Sequence, residues 1–168
     1  MNNSIRCILA EFLVAKAFDI DSAGVRVPWS AYDLKTRDGI KIEVKSAAYL
    51  QSWKQTRLST ISFSIKAARC WDADSGVMEL EARRPADVYV FALLACIDSS
   101  TVNPLDLAQW QFYVLARCDV DAYPRSKHSV TLRSLEKMVE PVAFGELRAA
   151  VQIASKRHQD MAQLSREG

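Results

Sequence analysis

The chain has 168 residues, 49% hydrophobic and 25% charged with a net charge of +2, which suits one globular domain with a real core. No apolar run approaches the ~20 residues that cross a bilayer, and the start, Met1-Asn2-Asn3-Ser4-Ile5-Arg6, lacks a basic region followed by an apolar block, so a cytoplasmic protein is expected. The four cysteines (Cys7, Cys70, Cys96, Cys118) lie far apart without a C-x-x-C pair, the usage of buried thiols rather than of a zinc site or a disulfide framework.

Ser4 to Phe18 reads as a helix with Asn3 or Ser4 as N-cap, because Ile5, Ile8, Leu9, Phe12 and Leu13 recur at helical spacing. Within it, Glu11 has Cys7, Ile8, Val14 and Ala15 as its neighbours three and four positions away, and a carboxylate among apolar groups requires a partner. Asp19 to Gly24 connects to a short strand, Val25-Arg26-Val27, stopped by Pro28. Two strands follow, Ala31 to Thr36 and Ile40 to Ala47, joined by Arg37-Asp38-Gly39, in which the Asp-Gly pair marks a hairpin. Leu50 to Thr60 is polar and aromatic, and Ile61 to Ile65 is a further strand candidate. Residues 66–85 lose all periodicity and read as a mobile, helix-containing insertion. Asp87 to Cys96 is nearly continuous apolar sequence, as in a strand buried on both faces, and Trp110 to Ala116 is another strand. Thr131 to Met138 passes from strand to helix, and Phe144, Leu147, Val151 and Ala154 form a last helical stripe. The tail frays from about residue 157, and His128 and His158 read as surface residues. One α/β or α+β domain over 1–168 is expected.

The chemistry lies in the hairpin. On its second strand Ile40, Ile42 and Val44 point one way and Lys41, Glu43 and Lys45 the other. A three-residue loop with a left-handed Gly39 pairs Thr36 with Ile40 and sets Asp33 beside Glu43 on one face; a two-residue turn sends Asp33 to the opposite face. Two adjacent carboxylates suit Mg²⁺, which keeps several waters and takes the rest of its shell from a substrate phosphate. Lys45 beside them can serve an attacking water and balance transition-state charge, a set of roles that fits phosphodiester hydrolysis.

Asp33, ten residues, then Glu43-Val44-Lys45 in a hairpin preceded by a helix bearing Glu11, resembles the PD-(D/E)XK nuclease superfamily, and DLKTRDGIKIEVKSAAYLQSWKQ is similar to an uncharacterised bacterial branch of it. The likeness covers about the first 65 residues, with Tyr32 where the superfamily's name has proline. It implies a restriction-endonuclease-like mixed central β-sheet flanked by helices. It also implies Asp33, Glu43, Lys45 and Glu11 as catalytic residues, and Asp33, Glu43, Glu11 and Val44 around Mg²⁺, for which Mn²⁺ substitutes.

Just beyond, Gln51, Trp53, Lys54, Gln55 and Arg57 offer amide, stacking and phosphate-binding groups of the kinds nucleic-acid surfaces use. Leu34 to Arg69 holds eight basic residues against two acidic ones, leaving 14 basic and 18 acidic elsewhere. DNA is the expected partner, with RNA the alternative, no membrane, and a homodimer one route to target choice. Two functions fit: a Mg²⁺-dependent nuclease, or a nucleic-acid-binding module of the same fold without independent catalysis. A protein-interaction domain is a third.

Overall fold

The structure is a computed structural model that describes residues 2–20, 31–69, 71–72, 77–78 and 80–167. The expected strand Val25–Val27 lies outside the described residues. The first helix, α1 (Asn3–Ala17), is capped by Asn2, whose side chain accepts from the Ile5 amide at 2.9 Å. The strands β1 (Leu34–Lys35), β2 (Lys41–Ala48), β6 (Val88–Leu94) and β7 (Trp110–Ala116) form one sheet in the order β1-β2-β6-β7. The β1·β2 and β6·β7 pairs are antiparallel and β2·β6 is parallel, with Ile42 beside Val88 and Ala48 beside Leu94. The protein is therefore an α/β fold with a mixed central sheet.

Alternation along β2 and β6 splits the core in two. On one face, Ile42, Val44, Val88, Val90 and Val114 pack against Ala10, Leu13 and Val14 of α1 and against Leu147, Val151 and Ala154 of α4 (Leu147–Glu167). On the other, Ala47, Tyr89, Phe91, Leu93 and Tyr113 are covered by a two-stranded ribbon of β3 (Ser62–Ser64) and β8 (Ser129–Thr131). Val120 of α2 (Arg117–Ala122) and Leu135 of α3 (Leu132–Leu135) complete that second layer. Every residue of β6 is buried, as its unbroken apolar sequence requires. Among the described residues no helix is long and apolar enough to cross a membrane.

Several elements depart from what the sequence suggests. Helix α1 buries Arg6, Ala10, Leu13 and Val14 and exposes Ile5, Ile8 and Phe12. Its apolar residues wrap most of the way round, so periodicity does not single out a face, and the small Ala10 lets this one approach the sheet closely. In the 66–85 segment the described residues pair as strands instead of forming a helix: β4 (Trp71–Asp72) lies antiparallel to β5 (Val77–Met78), with a bridge from Ala68 to Arg83. The polar tail is helical through Glu167, and His158 is buried at 8% exposure rather than on the surface, since it falls one turn beyond Ala154 on the same stripe; His128 is exposed. Cys7 is exposed, and Cys96 and Cys118 are half-buried, so these three are not the buried thiols expected; all are free.

Candidate active site

The hairpin takes the longer loop. The Thr36 amide donates to the Ile40 carbonyl at 3.0 Å, Gly39 sits at φ +89°, and the register runs Lys35 to Lys41 and Leu34 to Ile42. The left-handed Gly39 absorbs the odd residue of the turn, and the Thr36 hydroxyl accepts the Ile40 amide at 2.9 Å to hold it. This parity directs Asp33 toward the Glu43 side of β2. Regular pairing ends at Leu34, because the Asp33 amide also reaches the Ile42 carbonyl, at 3.1 Å. The Asp33 carboxylate then takes over the edge of β2: its Oδ2 accepts from the Val44 amide at 2.8 Å. That amide belongs to the peptide group joining Glu43 to Val44, so the Asp33 carboxylate is bound to the peptide next to Glu43.

Glu43 and Lys45, two apart on the strand, share one face and form an ion pair between Nζ and Oε1, both partly accessible at the edge. Parallel pairing sets Tyr89 directly beside Glu43. Tyr89 is buried, and burial first, then the Glu43 charge, push its phenol well above the ordinary range. The phenol beside the carboxylate therefore stays protonated at neutral pH. Tyr32 lies under the Lys41 ammonium at 5.8 Å, a cation–π contact that pins the start of the hairpin, and the Asp87 carboxylate accepts the Lys41 amide at 2.9 Å.

The remaining expected residues are placed differently. Glu11 is half-buried on α1, which packs on the Ile42–Val44 face, opposite to Glu43 and Lys45. Among the described residues no three His, Cys, Asp or Glu side chains are gathered to hold a metal. Val44 turns its side chain into the core and offers its amide to Asp33. Gln51 and Gln55 build the loop after β2: the Gln55 Oε1 accepts the Gln51 amide at 2.6 Å, and each side-chain amide donates to Ser59 Oγ at 3.1 Å. Trp53, Lys54 and Arg57 project from that braced loop, Trp53 at 58% exposure.

Two residues of this region are not evident from the sequence. Tyr89 lies within a uniform apolar run, and only the β2·β6 register puts it beside Glu43. Arg6 is 6% exposed and faces Gln51, its Nη1 3.4 Å from Oε1. Arg6 shares one helical face with Ala10, Leu13 and Val14, but only the packing on the sheet marks that face as the buried one.

Asp33 and Glu43 are hard oxygen donors of the kind that could hold a divalent cation whose remaining ligands come from water and phosphate. None of the curated proteins compared with the chain matches it. A family model described as bacteriophage T4 endonuclease IV matches residues 1–133, a span that includes the hairpin, β6, β7 and the β3·β8 ribbon. With nearly four-fifths of its length inside that match, the chain belongs to the bacteriophage T4 endonuclease IV family, a family of nucleases.

Proposed function

We propose that this protein is a Mg²⁺-dependent endonuclease that hydrolyses DNA phosphodiester bonds with PD-(D/E)XK chemistry, Asp33 and Glu43 being the carboxylates that would hold the metal. The observation that carries the reading is the hairpin parity, which brings Asp33 onto the peptide next to Glu43 within a chain of a nuclease family. When bound, Mg²⁺ supplies positive charge to the phosphoryl oxygen and lowers the pKa of its water. The chain's own groups do the rest. Lys45 is tethered by Glu43 at the strand edge, so its ammonium is positioned to donate to an attacking water and to offset negative charge building on the phosphoryl oxygens. The Val44 amide fixes the Asp33 carboxylate against rotation, and the buried Tyr89 lies beside Glu43 in the sheet. The basic segment around the hairpin attracts the DNA backbone.

The test is cleavage of DNA by purified protein with Mg²⁺ or Mn²⁺. Glu43→Gln, Lys45→Ala and Asp33→Ala each lower the rate by on the order of 10²–10³-fold, the loss typical of removing one preorganised electrostatic group. Asp33→Asn separates chemistry from folding, since its amide oxygen still accepts the Val44 amide while the charge is gone. It keeps the wild-type melting midpoint and loses cleavage. Metal-dependent cleavage that survives Asp33→Ala overturns the assignment.

A second reading has its own support. Both carboxylates already have protein partners, Asp33 on the Val44 amide and Glu43 on Lys45, as in a binding module that kept the fold without catalysis. Salt-sensitive DNA binding with no cleavage under either metal would select it.

A further inference from the structure

We infer that a second site, at the carboxyl ends of β2 and β6, holds one nucleotide of the DNA strand with its base out of the stack: the phosphate on Arg6 and the base on Trp53. The inference rests on the nucleic-acid reading above but not on the acidic pair. A cavity of about 720 Å³ opens there, within the ~300–1,000 Å³ usual for ligand pockets. Ala48 and Leu94, the last residues of the two parallel strands, form its floor. Crevices outside the carboxyl ends of parallel strands are where open α/β sheets bind ligands.

The lining chemistry selects an anion with an aromatic part. Among the described residues that line the cavity none is acidic, while Arg6 and Lys54 bring two positive charges. Arg6 is the decisive one. It is more than nine-tenths buried, and its Nε has no hydrogen-bond partner. Its one side-chain hydrogen bond among the described residues is a long one to the neutral amide of Gln51. No described carboxylate answers it. A buried guanidinium without an anion is costly, and its planar fork matches a phosphate. Burial lowers its affinity for the proton, in keeping with a charge that lacks a counter-ion.

Trp53 stands on the rim, and the loop that carries it is braced by the Gln51–Gln55–Ser59 network. An indole held exposed beside a buried guanidinium offers a stacking face for a base at low ordering cost. A base stacked inside a duplex has no free face to give it, so the occupant is a nucleotide unstacked from its neighbours.

The experiment uses the full chain in EDTA, so that binding is read without metal. Fluorescence anisotropy of a dye-labelled single-stranded oligonucleotide is measured for wild type, Trp53→Ala, Trp53→Phe, Arg6→Gln and Lys54→Ala, with inorganic phosphate and a deoxynucleoside monophosphate as competitors. Trp53→Ala weakens binding roughly 5- to 100-fold, the range for losing one base stack, and Trp53→Phe recovers part of it. Arg6→Gln weakens it comparably; because Arg6 is buried, that result counts only if the variant keeps the wild-type melting midpoint, and the exposed Trp53 and Lys54 variants carry the test otherwise. The monophosphate competes better than inorganic phosphate, and that preference disappears in Trp53→Ala. Affinity within two-fold of wild type in Trp53→Ala, or equal competition by phosphate and monophosphate, overturns the proposal. The two proposals fail separately: Trp53-dependent binding without Mg²⁺-dependent cleavage keeps this pocket and removes the hydrolytic reading, and cleavage with Trp53-independent binding does the reverse.

Discussion

His158 sits near the middle of α4 with its Nδ1 buried and unpartnered, so the ring cannot accept charge cheaply. Burial first, and then the nearby Arg117, lower its pKa below the ordinary ~6.5; Asp87, Asp121 and Asp119 oppose the shift without cancelling it. The folded state therefore holds the imidazole neutral while the unfolded chain takes up a proton. Stability is full above the unfolded value and declines as pH falls from about 6.5 toward the lowered folded value. Denaturant unfolding between pH 7.5 and 5 should show that decline in wild type and a flatter profile in His158→Gln; an equal slope in the variant would dismiss the role. At this scale, legibility follows sequence distance. Asp33, Glu43 and Lys45 are readable because one hairpin relates them. Tyr89 is hidden, since its place depends on which strand lies beside which, whereas the burial of His158 follows from the stripe of Leu147, Val151 and Ala154 once the helix is known to continue past residue 157.

Among the elements, the β1–β2 hairpin is the most legible, because an Asp-Gly turn and clean alternation constrain both the loop and the face. Its weak point is Gly39, at φ +89° with open space around the position of a Cβ. A side chain there meets no neighbour but strains the backbone, so Gly39→Ala costs about 1 kcal/mol and lowers the melting midpoint by roughly 2–4 °C. Deletion of Gly39 is the sharper perturbation: losing the odd residue turns Asp33 to the other face and abolishes cleavage. Deletion with wild-type activity would show that the loop does not set the site. The first strand is shorter than its sequence suggests, since Asp33 leaves the ladder to bond the Val44 amide through its side chain. A side chain that replaces a backbone pairing leaves no periodic trace. The buried face of α1 is hidden for a different reason: with Ile5, Ile8 and Phe12 as apolar as the buried set, only the sheet decides which stripe is covered.

Over the whole molecule, net charge conceals the feature that matters for DNA. Six of the eight basic residues between Leu34 and Arg69, namely Lys35, Arg37, Lys54, Arg57, Lys66 and Arg69, are exposed. With roughly four phosphates engaged, DNA affinity should fall on the order of 50- to 150-fold between about 50 and 200 mM salt. An affinity indifferent to salt would mean that this segment is not the binding surface. The α/β class and the doubly buried β6 are legible because a strand covered on both sides demands a continuous apolar run, rich in β-branched and aromatic residues. The sheet order is not, because nothing local in β2 announces that its neighbour begins with Val88.

That distant pairing has a consequence for how the molecule comes into being. Ile42 finds Val88 only after the 45 residues between them have been closed into a loop, an entropic cost that makes such contacts late in folding. A polypeptide leaving the ribosome N-terminus first has made its hairpin long before β6 exists, and in that interval the strand bearing Glu43 and Lys45 has only the two residues of β1 for a partner. The acidic edge has no sheet to stiffen it until synthesis has passed residue 94. On the proposed reading, the strand that carries Glu43 and Lys45 gains its neighbour β6 only in the second half of translation.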